Sequence, residues 1–283
     1  MYQLRSPAEA LQTYIEHYWF VSQAPGEIVG LRVDVFVDAR ADLVFNFDAP
    51  YRREVIGGPT VELGASNLDA QRLTPIRIIQ RGSVRIAGVR FRLGGLAPFA
   101  REALAPFTDR TPAPEEVLGA EALTLESDLD DGPTPDEAAA LLDAFFLDRF
   151  IAPPAGFARA LDALVATGGR ASVAELSDAA AASHRQTERL FARHLGIPPK
   201  TVGRIVRFQG ALRALMADPG CPLGEIAVDA GYYDQAHFIR DFRLFSGGVP
   251  RGYRGYYPPD GPADFAPNVV AFIQDAAAVA PRN

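Results

Sequence analysis

The chain has 283 residues, 48% hydrophobic and 22% charged, with a formal net charge of −7, a balance that suits a soluble globular protein of two domains or one large one. No run of about 18 apolar residues is present, so no membrane span is expected. The N-terminal stretch lacks the charged-then-apolar pattern of a signal peptide, so a cytoplasmic location is expected. Cys221 is the only cysteine, which excludes an internal disulfide and any zinc site built on two or more thiolates.

Residues 1 to about 110 read as mostly β. Runs rich in β-formers lie at Tyr14–Val21, Val29–Val37 and Asp42–Phe47, and again at Thr60–Leu63, Ile76–Gln80 and Val84–Leu93. Short strands at this spacing predict a small barrel or sandwich. From Gly95 the apolar spacing turns helical, with Leu96, Phe99, Ala100, Ala103 and Leu104 on one face. Residues 108–134 are rich in Pro, Asp, Glu and Gly and read as loop with room for one short helix. Thr134-Pro-Asp-Glu137 is a capping box with proline at the first helical position, and it opens a helix to about Phe150. Residues 151–156, with two prolines and a glycine, mark the domain boundary, so the front domain is taken as 1–152.

Two further capping boxes follow, Ser172-Val-Ala-Glu175 and Ser183-His-Arg-Gln186. The helices they open predict a first helix-turn-helix. A long helix from about Lys200 to Ala217 then leads to a second. There, Ile226, Ala227 and Ala230 recur at helical spacing and Gly231 ends the helix. Asp234 is an N-cap for the next one, whose apolar face is Phe238, Phe242 and Phe245. The DNA-binding part is taken as 156–257. It carries 13 Lys and Arg against 9 Asp and Glu, so a mildly basic module is joined to an acidic remainder, which suits local attraction to phosphate. Residues 258–283 form a tail whose apolar run, Asn268–Gln274, is read as a docked strand, a docked helix or a frayed end.

At these residues the chain resembles the AraC/XylS family of transcription regulators. The family pattern is met at Ala227, Gly231, Tyr232, Asp234, Phe238, Arg240, Phe242, Arg243, Gly247 and Pro250. The resemblance covers about the last hundred residues and extends loosely to the front half. It implies an α+β protein: a small cupin-like β-barrel with flanking helices, then an all-α domain of two helix-turn-helix units joined by a long helix. It further implies a regulator that binds double-stranded promoter DNA in successive major grooves, with RNA polymerase and a second copy of the chain as further partners. The front domain would bind a small-molecule effector or mediate self-association. Departures from the pattern lie in the first unit, where Ala181 and Ala182 stand in the turn that usually holds glycine and an aliphatic residue, and Thr187 replaces a usual leucine.

Carried over by position, Arg185, Gln186 and Arg189 on the first recognition helix and Gln235, His237 and Arg240 on the second face the grooves. Glu188 and Asp241 orient a neighbouring arginine or are simply solvated. Lys200 and Arg204 are phosphate candidates. The bland alternative for all of these is a solvated polar face. In the front domain Trp19, Phe36, Phe45, Phe47 and Phe91 are candidates to line a pocket, with Arg32 and Arg90 as polar anchors; plain core is the alternative. The four histidines, His17, His184, His194 and His237, show no metal-ligand spacing, so no metal and no cofactor are expected. No nucleophile elbow, phosphate-binding loop or dinucleotide turn is present, so an enzyme is not expected. The competing readings are a barrel enzyme with a regulatory DNA-binding half and a regulator controlled by a protein partner.

Overall fold

The computed structural model describes residues 2–22, 29–63, 66–253 and 269–274, with the backbone alone at 29–33, 62 and 269–274. The strands in chain order are β1 (Tyr2–Arg5), β2 (Ile15–Ser22), β3 (Val29–Val35), β4 (Asp42–Asn46), β5 (Tyr51–Val55), β6 (Thr60–Leu63), β7 (Asn67–Asp69), β8 (Ile76–Gly82), β9 (Arg85–Phe91) and β10 (Val269–Gln274). They form two antiparallel sheets, ordered β1-β2-β9-β4-β7 and β10-β3-β8-β5-β6. Among the described residues the ladders run within each sheet and none joins the two, so the barrel is open at its seams. The apolar run in the tail is the strand β10, paired with the edge of the second sheet at β3.

The helices are α1 (Pro114–Leu118), α2 (Glu121–Asp130), α3 (Pro135–Arg149), α4 (Ala155–Ala166), α5 (Val173–Ala180), α6 (His184–His194), α7 (Pro199–Ala217), α8 (Leu223–Asp229) and α9 (Gln235–Ser246). The helical spacing seen after Gly95 corresponds to a chain of tight turns. Phe99 and Ala100 both donate to the Leu96 carbonyl without continuing into a helix, while Leu96, Phe99 and Leu104 are buried. The acidic stretch that follows holds two helices where one was expected. Thr134 caps α3 as expected, accepting from the Glu137 amide.

One face of the first sheet supplies the front domain's core. Tyr18, Phe20, Leu43, Phe45, Val89 and Phe91 pack under α1, α2 and α3 against Val117, Leu125, Leu142 and Phe146. The second large core belongs to α4–α9, centred on Phe191, Phe208, Phe238 and Phe242. It does not stop at the linker. Phe36, Val37, Ala39 and Ala97 of the front half are part of it, and Phe36 meets Tyr253 edge to face at 5.0 Å. Backbone bonds seal the contact: the Val37 amide donates to the Phe245 carbonyl at 3.0 Å and the Leu104 amide to the Arg193 carbonyl at 2.8 Å. The buried Gln209 side chain of α7 donates to the Val37 carbonyl at 2.7 Å. The strand-rich half is therefore clamped onto the helical half through α6, α7 and α9.

Candidate nucleic-acid interface

Each helix-turn-helix is built by its caps. In the first, Ser172 caps α5 and Ser183 caps α6, each side chain accepting from the amide three residues on. In the second, Asp234 accepts from the His237 amide at 2.6 Å and starts α9. The turns differ. The second unit passes through Gly231 at φ +79, where glycine takes the left-handed region without steric cost. The first unit makes its turn at Ala181, with φ 52 and ψ 47, a conformation that costs an L-residue about 1–2 kcal/mol. Thr187 is fully buried and donates from its hydroxyl to the Ser183 carbonyl at 3.1 Å, so the site that usually holds leucine packs a smaller side chain tied to its own helix.

The cationic side chains of α7 and α9 converge. Lys200, Arg204, Arg207, His237, Arg240, Asp241 and Leu244 line one open cleft of about 630 Å³. Lys200, Arg204 and Arg207 fall at i, i+4 and i+7 of α7, and His237, Arg240 and Leu244 at i, i+3 and i+7 of α9, so each helix contributes one stripe. Four of the sequence-predicted residues meet here. Arg207 was missed, although its spacing from Lys200 and Arg204 was the signal for it.

Asp241 organises this cleft. It is buried at 3% side-chain exposure and accepts from Arg204 Nη2 at 2.7 Å. Its other oxygen lies 3.9 Å from His237 Nε2. Of the two roles open for Asp241, orienting an arginine is the one it performs. The bond to Asp241 raises the Arg204 pKa, and the guanidinium also sits 5.3 Å from the Phe245 ring centroid. Arg204 is thus a half-buried, fixed cation. Arg207 is fixed similarly, donating to the Gly169 carbonyl at 3.0 Å and lying 5.7 Å from the Tyr232 ring centroid. Lys200 and Arg240 remain exposed.

Gln235 is exposed at the first position of α9, ahead of the cleft. On α6, Arg185, Gln186, Glu188 and Arg189 are exposed. Gln186 has a prior engagement, because its Oε1 accepts from the Ser183 amide at 2.9 Å to complete the capping box; only its amide nitrogen is available to a base. The first unit offers its two arginines on an open helix face, apart from the walled cleft of the second.

The described front-domain pocket residues divide between two cores and the opposite face of the first sheet. Phe45 and Phe91 belong to the core beneath the helices, and Phe47 packs on that core with Arg85 over its ring at 4.6 Å. Phe36 lies in the core shared with the helical half. Alternation along a strand decides this: aromatic residues two apart in sequence point to one face, here the helix-covered one. Trp19 lies against Gly88, outside that core. Arg90 is buried between Asp38 and Asp42. Arg32 pairs with Ile79 in β3, and its side chain lies outside the described residues. Among the described residues no group of three or more His, Cys, Asp and Glu is placed to hold a metal ion, and no helix is long and apolar enough to cross a membrane.

Residues 176–256 match a family model described as a helix-turn-helix domain, and residues 3–113 match one described as a domain of unknown function (DUF6597). No curated protein matches the chain in sequence. Among solved structures, ToxT from Vibrio cholerae is 10% identical with a TM-score of 0.47, over 80% of this chain and 97% of that one. An AraC-type DNA-binding regulator from Chromobacterium violaceum is 23% identical with a TM-score of 0.35, over 38% of this chain and 95% of that one. The C-terminal domain of AraT, a response regulator from Geobacillus stearothermophilus, is 21% identical with a TM-score of 0.34, over 39% and 92%. The C-terminal part of the chain therefore carries an AraC-type helix-turn-helix domain, the family match running over the second unit and most of the first.

Proposed function

We propose that the two recognition helices read successive major grooves of one promoter site, with unequal roles. The second unit reads bases through Gln235, His237 and Arg240, while Lys200, Arg204 and Arg207 on the wall of the same cleft hold phosphates. The first unit contributes Arg185 and Arg189, with Gln186 contributing only its amide nitrogen. The observation that carries this reading is the convergence of the α7 and α9 stripes on one cleft with Asp241 beneath them. Free arginine on a helix face can pair with guanine edges, and fixed cations along a groove wall suit backbone phosphate.

The front domain is the sensing half. Its clamp on the helical half through Val37, Phe36 and Gln209 gives a ligand a physical route to α7 and α9. A ligand that favours one docking arrangement shifts the DNA-binding population by its differential affinity. The protein acts on promoters in the cytoplasm together with RNA polymerase, as a monomer spanning both grooves or as a homodimer.

Fluorescence anisotropy on a selected promoter fragment tests the unequal roles. Arg240→Ala is expected to weaken the cognate site selectively, and Lys200→Ala to weaken all sequences alike and flatten the salt dependence by about one unit of slope. Equal losses on cognate and unrelated DNA for Arg240→Ala would reject it as a base reader.

A further inference from the structure

The loop between α4 and α5 leads into the first unit, yet it is seated on the second. At Gly169 and Gly203 the loop and α7 meet backbone to backbone. A Cβ at Gly169 would lie 2.2 Å from the Gly203 carbonyl oxygen, and one at Gly203 would lie 2.9 Å from the Gly169 oxygen. Glycine at both positions permits the approach. The Gly169 carbonyl also accepts from Arg207 Nη1 at 3.0 Å, which bonds the loop to a cation of the cleft wall. One residue on, the stem of Arg170 lies across Gly231 in the turn of the second unit. A Cβ at Gly231 would meet Arg170 Cδ at 2.6 Å and Arg207 Cδ at 3.7 Å.

Two arginines from different elements therefore flank one turn, and they are used differently. Arg207 is held inward by Gly169 and the Tyr232 ring, with its Nε buried. Arg170 is exposed, and its guanidinium has no hydrogen-bond or ion-pair partner among the described residues. The next acid along the chain, Glu175, is engaged elsewhere, accepting from the Ser172 amide at 2.7 Å. A stem laid on a glycine with its charge left in water is already placed, so less rotamer freedom is lost on binding. The location is specific as well. One side of this seam leads into the unit of α6, and the other leads into α9. Arg207 at the seam lines the same cleft as Arg240, so the seam opens on the face that reads DNA. A duplex lying across both units passes it with the stretch between the two major grooves, where contacts go to phosphate.

We propose that Arg170 is a further DNA contact, pairing with a backbone phosphate between the two grooves and so positioning the duplex across the seam without reading sequence. This assignment deepens the two-groove reading above and rests on it.

Arg170→Met keeps a stem over Gly231 and removes the charge, whereas Arg170→Lys keeps both. Binding of the full-length protein is measured across salt concentrations on a mixed-sequence duplex of about 40 base pairs, long enough for both grooves. The log–log slope is expected to fall by about one in Arg170→Met and to return in Arg170→Lys. The melting temperature is expected to stay unchanged in both. An unchanged slope in folded Arg170→Met overturns the contact. So does a slope that falls together with the melting temperature and is not restored by lysine, which would mean lost packing on Gly231. On a fragment recovered by selection, neutral methylphosphonate linkages are then introduced one at a time. One linkage between the grooves is expected to weaken the wild type and leave Arg170→Met unaffected; such a linkage found only within a groove-reading block overturns the placement. Arg240→Ala on the same two duplexes keeps the ideas apart: equal losses on both reject base reading, while the Arg170 slope still decides the phosphate contact.

Discussion

Asp241 on the recognition helix holds Arg204 of the connecting helix at 2.7 Å from a position only 3% exposed. This pair adds an ionic tie to the aromatic packing of Phe208 on Phe242 and Phe245 between α7 and α9. Removing the carboxylate leaves a half-buried guanidinium without its counter-charge. Solvent reaches about a third of Arg204, so Asp241→Ala is expected to cost about 1–3 kcal/mol, below the cost of breaking a fully buried pair. A double-mutant cycle with Arg204→Ala in urea denaturation should show coupling of about 1 kcal/mol. Additive losses would mean that the two residues act independently.

The turn of the first unit offers a gain in stability. Ala181 stands at φ 52, so Ala181→Gly is expected to stabilise the protein by up to about 1 kcal/mol, relief of the left-handed strain outweighing the added freedom of the unfolded chain. Gly231→Ala is expected to go the other way and further, because its Cβ would lie 2.6 Å from Arg170 Cδ at φ +79. Chemical denaturation of the two variants should give opposite signs.

The shared core makes a front-half residue matter to the helical half. Phe36→Ala deletes a fully buried ring and is expected to cost about 3–5 kcal/mol. Hydrogen exchange should show the loss in α7 and α9 as well as in β3. Exchange that accelerates in the sheets alone would contradict the clamp.

Two histidines set an acid-side dependence. Burial lowers the His17 pKa, and burial followed by the neighbouring Arg193 lowers that of His194, both from 6.5. The unfolded chain then binds more protons than the folded one as pH falls through 6.5, so stability is complete above that value and declines below it. The melting temperature should fall between pH 7.5 and 5.5. His194→Gln should reduce the slope and the His17→Gln, His194→Gln pair should reduce it further; an unchanged slope in the pair would assign it elsewhere.

The second helix-turn-helix was legible residue by residue, because Gly231, Asp234 and the three phenylalanines carry strong local signals that the tertiary structure keeps. The capping boxes at Thr134, Ser172 and Ser183 were legible for the same reason. Strand β5 escaped notice because its inward residues are Tyr51 and Arg53, and a polar interior breaks the apolar alternation that marks a strand. Residues 96–104 gave helical spacing without a helix, since buried turns also repeat apolar residues every three or four positions. Of the two readings open for the front-domain aromatics, Phe45 and Phe91 take that of core, because parity sends both beneath the helices. Arg207 could have been found from its helical spacing to Lys200 and Arg204, whereas the choice between the two roles of Asp241 rests on its contact with Arg204 across α7 and α9, which local patterns do not contain.

The most direct test of the DNA-reading account is selection of random DNA fragments on the full-length protein at about physiological salt, followed by sequencing. The account predicts a motif of two blocks about one helical turn apart, with the block lost in the Arg240→Ala variant being the sharper of the two. A protein that enriches no motif would contradict it.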